Sequence, residues 1–434
     1  MTCPLFPRLT AAAITTSRGS DLLDDATLAA ADKIVRAVRE EGEPALRRFA
    51  AEFDGLQADD PLTLGASDLR QALAQVDPAD ASVLQRTCDR ITAFATAQLG
   101  CIAPLSTPIP GGRAGHTLEP IQRVGCYAPG GRYPLPSTVL MTVATARAAG
   151  CPSVCLATPS RDPILLAAAA VAGADAILLA GGAQGIAALA YGVALDAPVD
   201  IIVGPGNRWV TAAKHLVSRQ TAIDMLAGPS ELLVLADETA DPALIAADLL
   251  AQAEHDVDAR PFLVSSSADL ADRVDAELSR QLATLPTRAT AAKALRNGGA
   301  VITGSLEEAL DICDRLAPEH LEVCTRRPAE VARQLRHAGA VFIGARAAEV
   351  FGDYGLGPNH SLPTNGIARS SAGLSVFTFL RLRTWMELDG PLDGRATQDV
   401  LRLAELEHLV AHRRAAEARC SPAGASRARG SVKR

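Results

Sequence analysis

Aromatic residues are scarce in this chain: Phe, Tyr and Trp make up 3% of its 434 residues. Histidine is scarcer still, with eight copies. The nine cysteines are odd in number and form no C-x-x-C pair, which argues against a disulfide framework and against a thiolate zinc site and for a reducing compartment. No excess of positive charge is present. The net charge is −7, so there is no basic face of the kind nucleic acid phosphates require, and no nucleic-acid partner is expected. Long apolar runs are also missing. The longest, ILLAAAAVAGADAILLAGGA, is interrupted by Gly173 and Asp175 and reads as a helix followed by a strand. MTCPLFPRLT at the N-terminus has no apolar core of signal-peptide length. The expectation is a cytoplasmic protein with no membrane span.

The chain has instead a regular alternation between residues 123 and 345. Short β-rich runs read as strands at 124–128, 153–158, 176–180, 200–204, 231–237, 261–266, 300–304 and 340–344. Ala-rich helical stretches such as STVLMTVATARAAG and PALIAADLLAQAEH separate them. Strand, helix, strand at this spacing predicts α/β architecture with parallel sheets covered on both faces. Eight strands point to two Rossmann-like units. Residues 22–100 read as mostly helical. The expected division is an N-terminal segment over 1–21, a first α/β domain from 22–122 with 234–378, and a second, nucleotide-binding-like α/β domain over 123–233. A helical C-terminal segment covers 379–420, with a small, polar, basic and disordered tail at 421–434. In ATQDVLRLAELEHLVAHRRAAEAR, Val400, Leu401, Leu403, Leu406 and Val410 share one face of a helix.

Three Gly-rich loops follow strands: YAPGGRYPLPS (127–137), LAGGAQG (179–185) and GPGN (204–207). In open α/β sheets, ligands bind at the carboxyl edge, and a strand-to-helix turn presents backbone N–H groups to phosphate. GPGN is followed by Trp209 where the dinucleotide fingerprint has glycine, so a ligand-free tight turn accounts for it equally well.

Four histidines fall in a few polar segments. LLAQAEHD places Gln252 and His255 three apart on one helical face. FGDYGLGPNHSLPTNG places Asp353 and His360 in a segment too rich in Gly and Pro for helix. The last helix adds Glu407 and His412. LAPEHLEV places Glu319 and His320 side by side where a helix stops. Solvated helix ends account for such pairs in most proteins. Together the donors also suit a mixed N/O site for Zn²⁺ or Mn²⁺, with His320 as a base of near-neutral pKa and Glu319 as a partner for water. Cys126, at a strand end beside the first Gly-rich loop, leaves a thiol route open, against the plainer reading of a small buried hydrophobe.

IDMLAGPSELLVLAD, LLAQAEHD, LAPEHLEV, GDYGLGPNHSLPT and AELEHLVAH, in this order, resemble the histidinol dehydrogenase family from about residue 20 to 415. The resemblance implies a Zn²⁺-dependent enzyme that oxidises L-histidinol to L-histidine with two NAD⁺, the last step of histidine biosynthesis. It implies Gln252, His255, Asp353 and His412 as zinc ligands and Glu319 and His320 as the acid–base pair. Ser230, His360 and Glu407 become substrate contacts beside the metal ligands and His320, and Tyr127, Gln184 and Asn207 become NAD⁺ contacts. It also implies an obligate homodimer with shared active sites, in which the C-terminal segment brings Glu407 and His412 to the partner's site. Arg132 and Tyr133 stand where the family pattern leads one to expect smaller residues. Alternatives are a related dehydrogenase of another small polar alcohol, a zinc hydrolase without nucleotide, and a catalytically silent scaffold.

Overall fold

A computed structural model describes residues 5–14, 23–130, 134–390 and 393–420. The tail at 421–434 and the pair Arg132 and Tyr133 lie outside the described residues. The chain divides into two compact units, Met1–Leu99 with Pro120–Phe379, and Gly100–Glu119 with Leu380–Arg434.

The first unit contains two six-stranded sheets. One runs in the order Thr63–Gly65, Ala176–Leu178, Ser153–Ala157, Arg123–Tyr127, Ile201–Val203, Ala222–Ile223. Its strands are parallel except Thr63–Gly65, which is antiparallel to Ala176–Leu178. The other runs Arg8–Leu9, Gly299–Ile302, Arg260–Ser265, Glu231–Ala236, His320–Cys324, Ala340–Ile343, parallel throughout. In each, the earliest central strand is flanked by later strands that build outward on one side and then on the other. This is the doubly wound order expected from alternating strands and helices.

All six residues of Glu231–Ala236 are buried, as a strand covered on both faces requires. Leu232, Val234 and Ala236 pack with Ile245, Leu249 and Ala253 of the helix Pro242–His255. Leu233 and Leu235 pack on the other face with Ile312 and Leu316. Side chains alternate along a strand, and the register pairs Leu232 with His320, so His320 and Glu322 are directed to the face that Pro242–His255 covers. Helix starts carry the expected side-chain caps: Asp241, Ser267 and Ser305 accept hydrogen bonds from Ala243, Leu270 and Glu308 N–H.

All eight expected strands are present, one to two residues shorter or shifted. Four further strands complete these sheets, Arg8–Leu9, Thr63–Gly65, Ala222–Ile223 and His320–Cys324; the last lies between Glu231–Ala236 and Ala340–Ile343, where the sequence reads as a helix end. The helix does end there: Leu306–Leu316 stops at Ala317, in the left-handed region with φ 50°. The strand escapes detection because Glu319, His320 and Glu322 break the apolar run that marks a buried strand. Residues 22–122 were expected to join 234–378. Instead, the helices Asp25–Glu41, Glu43–Asp54, Ala66–Gln75 and Pro78–Leu99 pack against the helices of the 123–233 sheet. Thr63–Gly65 extends that sheet's edge.

The second unit joins Leu105–Ile109, Gly112–Pro120 and Leu380–Leu388 into a three-stranded sheet. The C-terminal segment is therefore not wholly helical. The single amphipathic helix expected beyond Gly390 is two helices, Gly394–Leu406 and Val410–Cys420. They are broken where His408 adopts φ 57°. Neither helix has a buried residue, and Leu403 and Val410 are 59% and 60% exposed.

Candidate active site

Parallel pairing brings the amino ends of Glu231–Ala236 and His320–Cys324 together. There Glu231 N–H donates to Glu319 Oε2 at 2.9 Å, and His320 Nδ1 lies 3.1 Å from Glu231 O. A carbonyl only accepts, so Nδ1 carries the hydrogen and Nε2 keeps its lone pair. That Nε2 is buried and has no hydrogen-bond partner among the described residues. Glu231 is itself anchored, by Arg260 at 3.0 Å and by Asn365 N–H at 3.2 Å. Ser230 sits one residue before this strand, at the same edge, its carbonyl accepting from Arg260 N–H.

Gln252 and His255 come from the last turn of Pro242–His255. Asp353 closes a one-turn helix, Glu349–Asp353, that packs against it; the segment was expected to be loop. Asp353 gathers three histidines: His255 Nε2 at 3.7 Å from Oδ2, with His320 Nε2 and His360 Nδ1 each 3.8 Å from Oδ1. His360 is further fixed by Asp353 O at 3.0 Å. The structure therefore unites five of the expected site residues, His255, Glu319, His320, Asp353 and His360, and places Gln252 three residues before His255 on the same helix. Glu407 and His412 belong to the second unit, both exposed, one ending Gly394–Leu406 and the other within Val410–Cys420.

The cluster is polar and largely sealed from water, and its titrations show it. Burial lowers His320 to about 3 and His360 to about 4, and it also lowers His255, although 41% of that side chain is exposed. Burial raises Asp353 to about 7 and holds Glu319 well above the usual carboxyl range. Gln252 is fully buried, yet neither its amide oxygen nor its nitrogen has a partner among the described residues. An unsatisfied buried polar group costs about 1–3 kcal/mol. An unpartnered, buried Gln252 on the helix that carries His255 fits a site for a divalent cation, and the N/O donor set fits Zn²⁺.

At the carboxyl edge of the other sheet, Tyr127 and Gln184 converge. The Tyr127 hydroxyl accepts from Gly182 N–H at 3.1 Å, and Asp54 accepts from Gly181 N–H and Gln184 Nε2, each at 2.9 Å. Asn207 caps Arg208–Val217, its Oδ1 accepting from Trp209 and Val210 N–H. Gly204 has φ 115°, and a Cβ there would lie 2.2 Å from Tyr127 O. The turn thus rests on the strand Arg123–Tyr127, beside the point where strand order reverses. Cys126 is fully buried, and burial pushes its thiol pKa up. It is a core side chain without the thiolate character a nucleophile needs.

The family model for histidinol dehydrogenase matches residues 18–420. The chain belongs to the histidinol dehydrogenase family. It is 43% identical over 389 residues to the histidinol dehydrogenase of Thermus thermophilus, covering 89% of this chain and 93% of that one. It is 44% identical over 408 residues to that of Nitratidesulfovibrio vulgaris, covering 92% and 93%. Among solved structures, the histidinol dehydrogenase of Elizabethkingia anophelis superimposes with a TM-score of 0.88 at 30% identity, covering 96% of this chain and 99% of that one.

Within this member of the family, sequence reasoning missed a second set of acids, Glu322 and Glu349 buried and Asp248 half-buried. Glu322 lies two residues along the strand from His320 and pairs with Asp248, one turn before Gln252. Glu322 is raised to about 8 and Asp248 to about 6, in both cases mainly by burial. Glu349 is 3% exposed, with neither carboxylate oxygen hydrogen-bonded among the described residues and Oε1 3.7 Å from His320 Nδ1. Glu349 and Asp353 are four apart, a spacing that marks one helical face. The signal was present but hidden by reading the segment as loop.

Proposed function

We propose that this chain oxidises L-histidinol through L-histidinal to L-histidine with two NAD⁺, as the last step of histidine biosynthesis in the cytoplasm. What carries the reading is the hydrogen-bonded arrangement of His320. With Nδ1–H given to Glu231 O, the free Nε2 faces the Asp353 cluster. From there it takes the substrate's hydroxyl proton as the carbinol hydride departs. Glu319 at 3.6 Å and Asp353 at 3.8 Å offset the imidazolium charge that results. Glu319 then takes a proton from water adding to the aldehyde. A cation held by Gln252, His255 and Asp353 would favour the carboxylate form of Glu319 that accepts this proton. Loss of a second hydride and a proton from the hydrate leaves the carboxylic acid, which releases a further proton to give the carboxylate.

Gln252, His255 and Asp353, with His412 of the partner subunit, are the ligands we assign to Zn²⁺. When bound, NAD⁺ supplies the hydride acceptor and Zn²⁺ anchors the substrate's amino and imidazole nitrogens. Orientation by a fixed anchor is worth several kcal/mol of barrier. Ser230, His360 and Glu407 complete the substrate contacts, and Tyr127, Gln184 and Asn207 the nucleotide contacts. The homodimer with shared sites draws support from the uncovered apolar face of Gly394–Leu406, where Val400, Leu403 and Leu406 are exposed. No helix among the described residues is long and apolar enough to cross a membrane.

The test is stoichiometric. Purified protein with Zn²⁺ and excess NAD⁺ is expected to form two equivalents of reduced nicotinamide per histidinol. One equivalent, or turnover only with another alcohol, refutes the four-electron reading.

A further inference from the structure

We propose that the buried ion pair of Lys214 and Asp224 is a positioning pair, which fixes the turn at 204–207 in the shape that receives NAD⁺ before the nucleotide arrives. The proposal rests on the nucleotide contacts assigned above and names what holds them. Both side chains are 3% exposed, and Lys214 Nζ donates to Asp224 Oδ1. Lys214 Nζ also donates to Gly204 O at 3.0 Å, and Asp224 Oδ2 accepts from Gly204 N–H at 2.7 Å. One ion pair therefore grips both backbone polar groups of a single glycine.

That glycine is where the turn is hardest to hold. Its φ of 115° and its close approach to Tyr127 O suit glycine alone, and glycine loses the most backbone freedom when it is fixed. Asn207, three residues on, starts the helix Arg208–Val217, so the direction in which Asn207 is presented follows from the turn. Stability alone does not account for the pair. Desolvation of two buried charges offsets much of their attraction, and apolar residues of similar volume are often as stabilising. What the charges add is direction, through hydrogen bonds with the N–H and the C=O of one residue.

Backbone placement brings the two charges in from different elements. Asp224 follows the edge strand Ala222–Ile223, whose parallel register sets Ile223 beside Ile202. Asp224 thus stands next to the end of Ile201–Val203, where the turn begins. Lys214 lies in the second turn of Arg208–Val217, and helical side chains lean toward the N-terminus of their helix, which here is the turn. Beyond Asp224 the chain is strapped down on its way to the other sheet. Ala227 O accepts from Thr211 Oγ1 at 3.0 Å, and Gly228 N–H donates to Thr364 Oγ1 at 2.7 Å, two residues before Ser230. The pair holds the nucleotide end of a segment whose other end enters the strand Glu231–Ala236.

The experiment compares the Zn²⁺-loaded, full-length wild type with Lys214→Met, which keeps an unbranched stem and removes the ammonium. NADH binding is followed by nicotinamide fluorescence, and rates are measured with NAD⁺ and histidinol varied separately. A contact misplaced by about 1 Å costs about 10²-fold. The kcat/KM for NAD⁺ is therefore expected to fall roughly 10²-fold and NADH binding to weaken at least roughly tenfold, while the KM for histidinol stays within about twofold. A folded variant with wild-type NADH affinity and NAD⁺ KM overturns the proposal, because a merely structural pair changes how much protein folds and not what the folded molecules bind. Equal rises in both KM values overturn it too. Asp224→Asn keeps an oxygen for Gly204 N–H and is expected to show the same split to a smaller degree; it decides if Lys214→Met does not fold. If neither folds, hydrogen exchange in the wild type decides: slow exchange at Gly204 without nucleotide supports a turn held in advance, and rapid exchange there overturns it. A wild-type protein that binds no NADH removes the nucleotide reading itself, whereas wild-type binding with indifferent variants removes only this inference.

Discussion

Glu319→Gln and His320→Asn separate the two halves of the proposed reaction. The glutamine keeps an oxygen at the position that accepts Glu231 N–H at 2.9 Å. The fold is therefore expected to hold within about 1 kcal/mol, the net worth of one such bond. What it loses is the ability to take a proton from water. Positioned acid–base groups contribute about 10²–10⁴-fold, or about 3–5 kcal/mol of barrier at 1.36 kcal/mol per decade. His320→Asn removes Nε2, the atom held toward Asp353, and so is expected to cost a similar factor in the alcohol step. The assay follows reduced nicotinamide from histidinol and, separately, from added histidinal. Glu319→Gln is expected to slow histidinal oxidation by at least ~10², and His320→Asn to slow it far less. Equal losses with histidinal would refute the division of roles.

Four further outcomes follow from the geometry. In metal-free protein, Asp353 and Glu322 titrate near 7 and 8, above their unfolded values of about 4. The folded state then binds more protons across that window, and stability falls as pH rises through it. His320 and His360, at about 3 and 4, lie below their unfolded value of about 6.5 and act oppositely, so stability also falls as pH drops below that value. Tm of the chelated protein is therefore expected to be lower at pH 8 than at pH 6, and a rise would contradict the assigned burial. Gln252→Leu removes two unpartnered buried atoms, so metal-free stability should stay level or rise by about 1–3 kcal/mol while Zn²⁺ affinity drops, as denaturation and chelator competition would show. Mixing inactive Glu319→Gln and His412→Ala subunits should restore roughly a quarter of wild-type activity if sites are shared, because half the dimers carry one intact site in two; no recovery after subunit exchange is confirmed would exclude sharing. Cys126→Ser should keep kcat within a few-fold, and loss of turnover in a folded protein would reopen a thiol route.

Periodicity alone was enough for much of the fold. The apolar runs at 124–128, 153–158 and 231–237 and the Ala-rich helices between them dictate a parallel, doubly covered sheet, because only that arrangement buries both faces of such strands. The order of Gln252 and His255 on one helical face was equally legible, since it depends on local geometry. Reading 22–122 into the wrong domain had a different origin: which sheet an amphipathic helix covers depends on shape, and its own pattern is silent on that. The break at His408 was hidden for a related reason, as the apolar spacing continues across it.

The site itself was legible as a set of residue types, and the motifs made their grouping known by resemblance. Their chemistry was decided elsewhere. Parallel register set Glu231 against Glu319 and His320, and so chose which imidazole nitrogen keeps its lone pair. A buried strand with polar residues at its start has no signature in composition, so His320–Cys324 read as a helix end. Glu349 and Glu322 each look like an ordinary surface acid in sequence; only packing against the helices on one sheet face removes them from water. Local pattern determines which elements form and which face each side chain takes. Burial, partnering and therefore proton affinity belong to contacts between segments distant in the chain, and these exist only once the chain has folded.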